Sequence, residues 1–126
     1  MAAPNIVNVT SITGLSTYYN ITTNNTFFDV LTNSAGSNTV LKIGTILLTN
    51  TDGNNPVDVS VGLHNGVAGA ATTVDIGKFV TVPARASIIL IGKDSGFYLE
   101  EDNKIVASAS NNDRASILVS YEVIEE

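Results

Sequence analysis

The sequence predicts an all-β chain: a single-domain antiparallel β-sandwich, jelly-roll-like, with an immunoglobulin-like sandwich as the alternative. Three observations predict it. First, two stretches alternate apolar and polar residues with a period of two, the repeat of a strand with one covered face. In one, Val57, Val59, Val61 and Leu63 alternate with Asp58, Ser60, Gly62 and His64. In the other, Ala115, Ile117, Val119, Tyr121 and Val123 alternate with Arg114, Ser116, Ser120 and Glu122, with Leu118 as the exception. Second, Asn, Gly, Asp and Pro clusters punctuate the chain at short spacing, as turns between strands require. Third, no segment longer than a few residues keeps a helical period, and the Asn, Thr, Ser, Val and Ile content favours strands and tight turns.

Taken in order, residues 1–5 read as an extended N-terminal arm and residues 6–126 as the sandwich. Pro4 cannot donate to a ladder and disfavours a helix at Ala3. Residues 6–12 predict a first strand, broken by Gly14. Residues 15–23 and 26–31 predict the next two, separated by Asn24-Asn25. Residues 32–39 read as a loop. Residues 40–48 are apolar on both faces, so they predict a central strand, or one whose outer face meets another subunit.

A dense turn at residues 50–56 leads into the valine strand. Residues 65–71 hold two glycines among small residues and read as a mobile loop, since so many glycines penalise a helix. Residues 74–82 predict a strand ended by Pro83, and residues 87–91 another. Lys93-Asp94-Ser95-Gly96 is a turn into residues 97–124. That last stretch predicts a C-terminal antiparallel hairpin, with Asn111-Asn112-Asp113 at its tip.

Composition narrows the function classes. A chain of 126 residues with 44% hydrophobic content suits one core. Twelve acidic against six basic residues give a net charge of −6, a poor footing for nucleic acid, which is held by clustered Lys and Arg. No cysteine is present, so disulfides and thiolate metal sites are unavailable. Met1-Ala2-Ala3-Pro4-Asn5 lacks the basic and apolar regions of a signal peptide, and no apolar run has bilayer-spanning length. The expectation is synthesis in a cytoplasm, with no membrane partner. The glycosylation-like triplets at Asn8, Asn20 and Asn24 read as chance matches in an Asn/Thr-rich chain.

Reactive constellations are not visible. His64 is the one histidine, on the polar side of the valine strand. Asp58, on its face, lies about 20 Å away along a straight strand, too far to orient it. Asp52-Gly53-Asn54 with Asp58 hints at a calcium loop but lacks the carboxylate at the twelfth position, so a plain turn is the reading. Glu100-Glu101-Asp102 reads as a solvated strand end or turn. Tyr18-Tyr19 and Phe27-Phe28 each predict one ring inside and one outside, the outer ring marking an interface. No catalytic residue, cofactor or metal is expected, and the chain is not expected to be an enzyme.

The motifs along the chain carry a resemblance. Asn5-Ile6-Val7-Asn8-Val9-Thr10-Ser11-Ile12, residues 46–52, the Val-Pro-Ala step within residues 80–84, Lys93-Asp94 with Tyr98-Leu99-Glu100-Glu101, and Val119-Ser120-Tyr121-Glu122 together resemble small structural proteins of tailed bacteriophages of marine and cyanobacterial type. The pattern is similar to capsid decoration, or cement, proteins. The resemblance implies a virion protein on the outer surface of the capsid, made in the host cytoplasm. It would bind the major capsid protein, associate with itself as a homotrimer, and stabilise the shell by bridging neighbouring subunits. Ala2, Ala3, Pro4 and Asn5 are the expected interface residues, as an arm reaching a neighbour. Alternatives are a tail or fibre component that recognises a host surface through residues 32–39 and 65–71, and a small carbohydrate-binding module or hydrolase.

Overall fold

The computed structural model describes residues 11–22, 26–65, 72–111 and 114–125. The predicted arm, with Ala2, Ala3, Pro4 and Asn5, lies outside the described residues, as do most of the predicted first strand and of the loop at 65–71. Nine strands are described: β1 (Ser11–Ile21), β2 (Phe28–Asn33), β3 (Thr39–Asn50), β4 (Val57–Asn65), β5 (Thr72–Val82), β6 (Ser87–Ile91), β7 (Phe97–Leu99), β8 (Asn103–Ala109) and β9 (Ala115–Glu125). They form two antiparallel sheets. One has the order β1-β9-β3-β6, with β7 also paired to β3; the other has the order β2-β8-β4-β5.

The pairing is nested. The first strand pairs with the last, β2 with β8, β3 with β6 and β7, and β4 with β5. This is one long ribbon of antiparallel pairs wrapped into two layers, the jelly-roll arrangement. It sets aside the immunoglobulin-like alternative, whose first two strands share a sheet; here β1 and β2 lie in different layers.

Alternation explains the core. In β4, Val57, Val59 and Val61 are buried, and in β9, Ala115, Ile117 and Val119. Ile43, Ile46 and Leu48 from β3, with Ile105 and Ala107 from β8, meet them between the layers in a single cluster. Each such Val, Leu or Ile contributes about 1.5–3 kcal/mol when fully buried. In β3 the register with β9 shifts between Ile43 and Thr45, where Gly44 sits as an extra residue. The bulge resets the alternation, so Leu41 and Ile43 on one side of it and Ile46 and Leu48 on the other all face inward. That is why residues 40–48 look apolar on both faces, and β3 is indeed a central strand, between β9 and β6.

Two expectations are corrected. Gly14 does not break a strand: β1 runs through it in unbroken register with β9, because Gly14 is paired to Glu122 like any other residue. The C-terminal hairpin does not form either. β8 lies between β2 and β4 in one sheet, and β9 between β1 and β3 in the other. The polar connection after Ala109 carries the chain across the sandwich, anchored where Ser110 N donates to Asp58 O at 2.8 Å and Thr51 N to Arg114 O at 2.7 Å. Alternation in β8 and β9 serves a shared core from opposite layers, which a hairpin would not allow.

Candidate functional site

Directly paired residues of neighbouring strands share a face of the sheet. In the β1-β9-β3-β6 sheet, Tyr18 pairs with Leu118, Leu118 with Leu47, and Leu47 with Ile89. Their chain neighbours Ile117 and Leu48 are core residues, so these four lie on the outer face. They make an apolar row across all four strands. Tyr18 is 73% and Ile89 66% exposed, and Leu47 and Leu118 are half-buried between them.

Hydroxyl and amide groups frame the row. On one side run Asn20, Ser116, Thr49 and Ser87, with Thr49 Oγ1 and Ser87 Oγ 3.0 Å apart. On the other run Ser16, Ser120 and Thr45. Charge returns one row further, where Lys42 pairs with Glu122. A groove of about 510 Å³ lies along the Tyr18–Leu118–Leu47 end. An uncharged apolar centre with a polar margin has the anatomy of a protein-docking surface.

The other sheet carries a smaller feature on its outer face. A cleft of about 320 Å³ is lined by Phe27, Phe79, Ser60 and Ser108, with Asp75 and Lys78 at the rim. Phe79 has a positive φ of 50°, rare for a bulky residue. Its N–H donates to Ser60 Oγ at 3.0 Å, which holds the backbone there. Lys78 Nζ stands 5.6 Å from the Phe79 ring centre and 3.9 Å from Asp75 Oδ2.

The residues singled out by sequence take structural places. His64 Nδ1 is 2.7 Å from Thr73 Oγ1 on the exposed side of β4. Asp58 Oδ1 accepts from Thr81 Oγ1 at 2.7 Å, so the two are not brought together. Asp52 closes its own turn. Its Oδ1 accepts the N–H groups of Asn54 at 2.8 Å and Asn55 at 3.3 Å, and its Oδ2 lies 3.0 Å from Arg114 Nε. The backbone hydrogen bond from Asn54 is the main reason its carboxyl sits below the ordinary 3.8, with Arg114 adding to the effect. These oxygens are already engaged, as a plain turn requires.

Glu101 and Asp102 do form a turn, but Glu101 is half-buried rather than solvated, and its Oε1 accepts the N–H of Asn38. Of the aromatic pairs, Phe28 packs against the core and Phe27 is exposed, as expected. Tyr18 points out. Tyr19 turns toward the inner side yet stays 45% exposed, meeting Phe28 edge-on at 5.8 Å.

The outer row itself was not foreseen as a row. Its signal was present in Leu118, the apolar residue on the wrong side of its strand, and in the outward tyrosine. Leu47 and Ile89 sit in apolar runs, where a period of two says nothing about which face is covered. No protein-family model matches the chain, and no curated protein matches it.

Proposed function

We infer that this chain is a structural protein of a tailed-bacteriophage head, a decoration protein that docks on the outer surface of the capsid and stabilises the assembled shell. The observation that carries the docking half of this reading is the Tyr18–Leu118–Leu47–Ile89 row, an uncharged apolar strip on a rigid sheet. The phage half rests on the sequence resemblance. A rigid β-sandwich lays such a strip on a partner without ordering a loop, so little conformational entropy is lost on binding.

The mechanism is differential affinity. A docked subunit that touches two neighbouring shell proteins binds the assembled lattice better than its separate parts. It therefore shifts the equilibrium toward the lattice by the difference. An electron cryo-microscopy map of the phage particle tests the reading: density of this fold should sit on the outside of the head, with the apolar row turned toward the shell. Density confined to the tail, or none, removes it.

One observation favours a second reading, a surface-recognising module. The Phe27–Phe79 cleft brings two exposed rings together with the Ser60 and Ser108 side chains, a combination that suits a sugar. A glycan array read with the wild-type chain and with Phe79→Ala separates the readings, since this one requires a signal that the variant loses.

A further inference from the structure

We propose that β1 is a dimerisation strand, pairing antiparallel with β1 of a second copy across a two-fold axis at Ser16. The inference does not depend on the capsid reading. An edge strand exposes unpaired backbone N–H and C=O groups, and monomeric proteins guard such edges with charges, bulges or short length.

Among the described residues the two sheets present four edges, and three of them are guarded. β2 has six residues, carries Asp29 and is bulged between Asp29 and Leu31. β5 carries Asp75 and Lys78, is bulged twice against β4, and holds Phe79 at positive φ. The remaining edge is made of the five-residue β6 and the three-residue β7.

β1 has none of these devices. Its eleven residues, Ser-Ile-Thr-Gly-Leu-Ser-Thr-Tyr-Tyr-Asn-Ile, include no charge and no proline. Its register with β9 runs without a shift from Ser11 to Ile21. Nearly all of the strand is exposed, on the inner face as well as the outer; Leu15 and Tyr19 project on one side, Ile12 and Tyr18 on the other. A long, straight, neutral, apolar edge in a folded protein is one that another strand covers.

The occupant is a second copy because the strand is complementary to itself. Ser16 is the midpoint of β1, so a two-fold axis there is the one that pairs its full length. This register sets Gly14 opposite Tyr18, Thr13 opposite Tyr19, Ile12 opposite Asn20 and Leu15 opposite Thr17. Gly14 is open: a Cβ built on it meets nothing within 4 Å. Tyr18 of the second copy would lay its ring over that gap, the aromatic-over-glycine pairing that suits an edge glycine. With no charge on either strand, no like pair opposes another. The axis runs perpendicular to the sheet, so both copies turn their outer faces the same way: the two Ser16–Ser120–Thr45 rows meet at the dyad, and the two apolar rows lie on either side of it. The resulting assembly is two-fold, in place of the three-fold one that the sequence resemblance implies.

The full chain tests this in solution. Sedimentation equilibrium should give twice the chain mass of 13.2 kDa. Ser16→Lys puts two like charges face to face at the axis and should halve the mass, while circular dichroism and melting stay those of a folded β-protein. The chain has no cysteine, which allows a clean second measurement. Ser16→Cys should cross-link to itself with a short bis-maleimide. Ile12→Cys should not, because two such residues lie about 26 Å apart at 3.3 Å per residue. The cross-linking comparison stands even if Ser16→Lys fails to fold. A single-chain or three-chain mass, a dimer that survives Ser16→Lys, or equal cross-linking at both positions overturns the proposal.

Discussion

Asn50 Nδ2 donates to Val82 O at 3.0 Å, joining the two layers of the sandwich at one end. The same side chain donates to Asn55 O at 2.8 Å and accepts the N–H of Asp52 at 2.8 Å. At the other end Asn33 does the same work: Nδ2 reaches Leu99 O at 2.9 Å and Thr39 O at 3.1 Å. Both side chains are buried. Each satisfies carbonyls where a strand ends and the sheet ladder stops.

Removing Asn50 should therefore cost more than an average substitution. Asn50→Ala strands the buried Val82 carbonyl and opens the turn that Asp52 closes. The expected loss is about 2–3 kcal/mol, the range for an orphaned buried acceptor with its lost bond. The urea midpoint of unfolding, at unchanged slope, checks it.

Asp52 makes the stability depend on pH in a defined direction. Its carboxyl is held below 3.8, chiefly by the Asn54 N–H and also by Arg114. A group whose folded pKa lies below its unfolded value adds its stability above the unfolded value and loses it as pH falls through the folded one. Asn at this position keeps an acceptor for the turn but removes the charge. Wild type should thus be more stable than Asp52→Asn at neutral pH, and the gap should narrow as pH falls below 3.8. Denaturation midpoints of both proteins across that range read it directly.

Gly96 is a packing requirement. A Cβ there would press into the carbonyl oxygen of Ile43, which is backbone and cannot rotate away. Gly96→Ala should push β7 off β3 and cost about 1–3 kcal/mol, the usual penalty for overpacking. Gly44→Ala is the control: its Cβ would meet only Ser120 O, at an ordinary 3.6 Å. Thermal melts of the two variants should differ clearly, with Gly44→Ala the more stable.

Much of the layer structure was legible because burial writes itself into alternation. Val57 to Leu63 and Ala115 to Val123 showed it directly, and the turns at Asn50 to Pro56 and Lys93 to Gly96 were marked by residues that tolerate tight backbone. Partners were not legible. The alternation of Ala115, Ile117 and Val119 is the same whichever sheet the strand joins, so Asn111-Asn112-Asp113 looked like a hairpin tip although β8 and β9 lie in different sheets. Gly14 misled for a related reason: a glycine at a sheet edge weakens a strand without ending it, and pairing to β9 decides the outcome. The docking row was hidden because its members come from four strands whose adjacency is set by topology.

Docking as proposed uses the outer face of the β1-β9-β3-β6 sheet. Ile89 is the sharpest probe, being 66% exposed and far from the β1 edge along the row. An exposed substitution such as Ile89→Asp should change stability by no more than about 0.5 kcal/mol. The deciding measurement is co-sedimentation of wild-type and Ile89→Asp chains with expanded phage shells stripped of their decoration. Wild type should bind, and the variant should bind at least tenfold more weakly, a loss of about 1.4 kcal/mol. Equal binding of the two, or no binding of either, would contradict it.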